Sequence, residues 1–77
     1  MTKQESRIII ALANNGLSGR KAARSLNYHH NTIWYHVRSI RKKLQLDPYD
    51  FFDMQYLYPM AIAVVYQKEG CPNEDQR

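Results

Sequence analysis

The sequence predicts an all-α fold, a small bundle of about four helices built around a helix-turn-helix. Three observations predict it. Residues 18–44, SGRKAARSLNYHHNTIWYHVRSIRKKL, read as two short helices joined by a tight turn. Apolar residues before and within that stretch recur at three- and four-residue spacing, the period of a helix with one buried face. The 77 residues suffice for one domain with a marginal core, to whose stability a partner subunit or a bound polyanion would contribute.

The first helix is expected from about Gln4 to Asn14, where Ile8 with Leu12 and Ile9 with Ala13 make an apolar stripe. Thr2 or Ser6 supplies its cap, and Asn15-Gly16 stops it with a pair that tolerates the left-handed conformation. The second helix starts from Ser18 as N-cap and ends at Leu26. Ala22, Ala23 and Leu26 face inward, the small alanines allowing close helix approach, while Arg20, Lys21 and Arg24 stay outside. Asn27 is the expected left-handed turn residue.

The third helix should run from about His30 to Leu44, with His29 in its N-cap region. Ile33, Val37, Ile40 and Leu44 share one face. A rotation of about 100° per residue puts Asn31, Tyr35, Arg38 and Lys42 opposite them. Arg41-Lys42-Lys43 suits the negative end of the helix dipole. Leu46-Asp47-Pro48-Tyr49 reads as a loop, with Asp50 as the next N-cap and Asp53 completing a capping box. The fourth helix carries Phe51, Phe52, Met54, Leu57, Ala61, Ile62, Val64 and Val65, and Pro59 within it predicts a kink or break near Tyr58. Residues 1–68 thus make one helix-turn-helix domain, and residues 69–77, EGCPNEDQR, a polar tail expected to fray.

The net charge of +4 conceals an asymmetry. Residues 1–46 hold nine Lys and Arg against Glu5 alone, a balance of +8, whereas residues 47–77 hold two against six acids, a balance of −4. The basic half is the part that would touch a polyanion. A hydrophobic content of 44% argues against disorder. No apolar run approaches the length of a membrane span, and residues 8–13 are too short for the core of a signal peptide. Cys71, alone in the chain, builds no disulfide framework, and a reducing cytoplasm is the expected setting.

Catalysis finds little support. No Ser/His/Asp or Cys/His set stands out, and Gly16, Gly19 and Gly70 form no phosphate-cradling loop, so neither an enzyme nor a cofactor is expected. The three histidines do not make a metal centre. His29 and His30 are adjacent and point apart, His36 lies further round the helix, and Cys71 is remote, whereas zinc wants about four ligands in fixed geometry.

Ser18, Ala22-Ala23, Leu26, His29, Asn31-Thr32-Ile33, Tyr35, Val37 and Ile40 resemble the C-terminal helix-turn-helix of PucR/CdaR-type bacterial transcription regulators. HHNTIWYHV is the most specific part, and LDPYDFFDMQYLYPMA resembles the closing helix of the same module. The likeness covers residues 5 to 65 and extends, more distantly, to the Fis-type helix-turn-helix. It implies a small helical DNA-binding domain, usually dimeric, in bacterial gene control. His30 and His36 stand where that family more often has Arg, which bears on phosphate contact at those two places. The family module usually ends a longer chain with a sensory domain, whereas here Met1 begins the module; no small-molecule effector is indicated.

A recognition helix in the major groove assigns roles to the outward residues. Asn31 can pair with both N6 and N7 of adenine. Thr32 can offer its hydroxyl to a phosphate or its methyl to thymine, and Tyr35 lies central on the face. Arg38 and Lys42 should reach phosphates, as should Arg20, Lys21 and Arg24 where the preceding helix crosses the backbone. His29, His30 and His36 complete the DNA-facing set. Trp34, on the flank beside Arg41, is expected to pack against the fourth helix or a partner subunit. The partners expected are double-stranded DNA and a second copy of the chain, with no membrane. Two rival readings are a protein-interaction module using Phe51, Phe52, Tyr56 and Tyr58, and RNA binding through basic residues interleaved with Tyr and Trp.

Overall fold

The computed structural model describes residues 1–69, the last three by their backbone course alone. Four helices follow one another: α1 (Lys3–Asn14), α2 (Gly19–Leu26), α3 (His30–Leu44) and α4 (Phe51–Glu69), with no strand among the described residues. The tail from residue 70, with Cys71, lies outside them.

Each helix end has a local cause. At α1 the Glu5 N–H donates to Thr2 Oγ1 at 3.1 Å while the Thr2 N–H donates to Glu5 Oε1 at 3.0 Å, a reciprocal capping box. Thr2, not Ser6, is therefore the cap. Gly16 and Leu17 close the helix in the left-handed region (φ 65 and 64), with the Leu17 N–H reaching back to the Leu12 carbonyl at 2.7 Å. A leucine rarely takes that conformation; here its side chain packs against the core. Ser18 caps α2 by accepting the Lys21 N–H at 3.2 Å. Asn27 (φ 60) ends that helix, and the Tyr28 N–H donates to the Ala23 carbonyl at 2.8 Å. At α3, His29 Nδ1 accepts the Asn31 N–H at 3.2 Å, and Gln45 (φ 60) is the terminating residue.

Two expectations about α4 are corrected. Asp50 is the cap, accepting the Phe52 and Asp53 N–H groups at 2.8 and 3.3 Å. Asp53, however, does not return to the Asp50 N–H. It accepts the Asp47 N–H at 2.9 Å, while the Asp50 N–H donates to the Asp47 carbonyl at 2.9 Å. Asp53 thus holds the incoming loop instead of completing a box. Of the kink or break expected near Tyr58, the break is absent, since α4 is continuous through Pro59. Met54 and Leu57 before the proline and Ala61 after it are all buried, so both halves are held on the same core. Pro59 has no N–H to give the Gln55 carbonyl, and both residues are exposed.

The core joins Ile8, Ile9 and Leu12 of α1 with Ala22 and Ala23 of α2, Ile33, Val37 and Ile40 of α3, and Met54, Leu57 and Ala61 of α4. α1 is its hub, packing against each of the other three helices. α4 lies closest to α1; among the described residues no Cα of α4 comes within 8 Å of one in α2 or α3. No helix is long and apolar enough to cross a membrane among the described residues.

Candidate nucleic-acid interface

α3 is anchored at its C-terminal end by a buried carboxylate. Glu5, 3% exposed, takes Lys43 Nζ at 2.8 Å and the Ser39 hydroxyl at 3.4 Å on one oxygen, and the Thr2 N–H on the other. Burial by itself raises the Glu5 pKa. The Lys43 ammonium and the Thr2 N–H outweigh it and hold the carboxyl below its ordinary range. A second tether joins the α3–α4 loop to α2. The Tyr49 hydroxyl oxygen lies 2.6 Å from the place a Cβ on Gly19 would occupy, so only glycine leaves it room. Burial, reinforced by nearby Asp47, pushes the Tyr49 hydroxyl above its ordinary pKa.

With its inner side fixed, α3 presents a defined outer one. Asn31, Tyr35, Arg38 and Lys42 are all exposed, Tyr35 at 68%. Tyr35, Arg38, Ser39, Arg41 and Lys42 line a shallow cleft open to solvent. The Tyr35 ring meets the half-buried His36 edge to face at 5.4 Å. Arg41 Nε lies 3.9 Å from Asp47 Oδ1 and so is partly compensated. Among the described residues no carboxylate lies within 4 Å of Arg38, Lys42, Arg20, Lys21 or Arg24. Their charge is available to an outside anion.

The residues expected to face DNA divide accordingly. Arg20, Lys21, Arg24, His29, His30, Asn31, Tyr35, Arg38 and Lys42 are exposed, while Thr32 and His36 are half-buried at the edge. His29 commits one ring nitrogen to capping. Trp34 was expected against the fourth helix or a partner subunit, and the structure bears on the first alternative alone. It is 46% exposed, among the described residues no Cα of α4 lies within 8 Å of one in its helix, and Arg38 covers the ring, with Cζ 4.7 Å from the ring centroid. The i,i+4 spacing of Trp34 and Arg38 was the available signal. Arg41, a wall of the cleft, was also missed. Among the described residues no three His, Cys, Asp or Glu side chains gather as a metal site.

No curated protein and no solved structure is significantly similar to the chain. The PucR C-terminal helix-turn-helix domain matches residues 7–62, from α1 through α2 and α3 into α4. The family points to DNA-binding transcription regulation and is typically non-enzymatic. With well over half its length inside that match, the chain belongs to the PucR C-terminal helix-turn-helix family.

Proposed function

We propose that the chain binds double-stranded DNA sequence-specifically, as a homodimer, and regulates transcription in a bacterial cytoplasm. In this reading α3 enters the major groove, α2 crosses the phosphate backbone, and Asn31 reads a base. The observation that carries it is the outer face of α3, where Arg38 and Lys42, both exposed and without a carboxylate partner among the described residues, follow Asn31 and Tyr35 along one side of the helix. Fixed cations of this kind gain most from a polyanion, whose counterions they release. The dimer is supported by α4, whose outward side carries Phe52, Tyr56 and Tyr66 exposed. Two copies joined there would read half-sites about 34 Å apart.

Titration of duplex DNA at several salt concentrations tests the reading. Affinity falls steeply with salt, and Arg38→Ala and Lys42→Ala each reduce the slope by about one. Asn31→Ala costs about 1–3 kcal/mol on the preferred site and relaxes one position, leaving non-specific binding nearly unchanged. Binding without salt dependence, or stronger competition by single-stranded RNA than by duplex, overturns the proposal.

A further inference from the structure

Arg38 and Arg41 are neighbours on α3 and are held in different ways. Arg41 leans toward Asp47, a carboxylate that partly cancels its charge. Arg38 lies over the Trp34 ring at 4.7 Å, and a cation held by an aromatic face keeps its full charge. Core packing does not account for the ring, which is half-exposed on a helix that no Cα of α4 comes near among the described residues. It stands beside the cleft formed by Tyr35, Arg38, Arg41 and Lys42.

From this geometry we infer that Trp34 is a positioning residue. Its indole face holds the Arg38 guanidinium at the outer surface of α3 before DNA arrives, ready for a backbone phosphate. The inference rests on the DNA-binding reading and adds to it a residue that makes the contact effective without being the contact. A free arginine samples many rotamers, and fixing one on binding weakens affinity. A ring beneath the guanidinium removes part of that cost in advance. A carboxylate would do so only by consuming the charge the phosphate needs.

The test is a two-by-two comparison of Trp34→Ala and Arg38→Ala in the full chain, with Trp34→Phe as the conservative variant. Duplex affinity is measured at one low salt concentration, with a thermal melt of each protein as folding control. Trp34→Ala should weaken binding about two- to fivefold when Arg38 is present and not at all when Arg38 is already Ala, and Trp34→Phe should keep part of the loss from appearing. Trp34 is the chain's one tryptophan, so its emission reports the pair directly. Arg38→Ala should shift that emission in the free protein, and duplex addition should shift it in the unsubstituted one. An equal penalty for Trp34→Ala in both backgrounds would show the ring acting on DNA by itself or on stability, and would overturn the inference, as would no penalty at all. If the unsubstituted protein binds no duplex, the DNA-binding reading fails first; an Arg38-dependent cost of Trp34→Ala is then never seen, and the inference falls with it.

Discussion

α3 and α4 both turn a long face to solvent, one cationic and the other apolar. α3 carries Arg38, Arg41, Lys42 and Lys43 and no acid. From Phe51 to Tyr66, α4 carries a single charge, Asp53, and that one is engaged with the loop. Phe51, Phe52, Tyr56 and Tyr66 are each more than half exposed. The two faces place different demands on a partner. Hydrated cations are stable in water and await an anion. Exposed apolar surface costs about 25 cal/mol per Å² until something covers it. Two α3 faces repel each other, whereas two α4 faces meet without charge conflict. The contrast supports a division of labour in which α3 meets nucleic acid and α4 meets a second copy.

The most damaging way to break that division is to charge α4. Phe52→Glu combined with Tyr56→Glu should turn a micromolar dimer into a monomer in sedimentation, with affinity for a two-half-site duplex falling about a hundredfold or more as the linked second contact is lost. Phe52 lies in the first turn of α4, where an acid suits the helix dipole, so folding should survive. Monomeric wild-type protein, or unchanged assembly in the variant, would count against α4 as the shared face.

A second substitution asks what keeps α4 continuous. If burial of Met54, Leu57 and Ala61 on both sides of Pro59 holds the helix together against the proline, Pro59→Ala restores a donor without moving the core. Denaturant unfolding should then show a gain of about 2–3 kcal/mol, with DNA affinity unaltered.

The smallest expected effect concerns the anchoring of α3. Lys43→Met should leave Glu5 buried without its cation and cost about 1–3 kcal/mol near neutral pH. In the native protein the Glu5 pKa is lowered, so its stabilisation is in force above the unfolded carboxyl value of about 4.3 and fades as pH falls through the folded value. In the variant the lowering by Lys43 is gone while burial still raises the pKa, so the carboxyl should protonate at higher pH than in the native protein, and protonation relieves the cost. Melting curves of the two proteins should therefore converge on acidification. Parallel loss across the whole range would mean that Lys43 acts through packing alone.

The helices and most of their ends were written locally. Ser18, Asn27, His29 and Asp50 act within a few residues of themselves, and the inward positions of α3 follow from its period, so chain chemistry alone determined them. The outer face of α3 was legible for the same reason, since whatever lies opposite Ile33, Val37 and Ile40 on an amphipathic helix faces outward. Tertiary structure decided the rest. That Asp53 grips the Asp47 N–H, that Lys43 turns inward to Glu5, and that Tyr49 rests on Gly19 depend on how helices approach one another in space. Pro59 is tolerated for the same reason: packing on α1 overrides a local rule. Trp34 is the sharpest instance, because its spacing to Arg38 was visible in the sequence while the distance of the described part of the α4 backbone from its helix was not. Local capping and periodicity act over a turn or two of chain, whereas the choice of neighbour is made by the whole core at once.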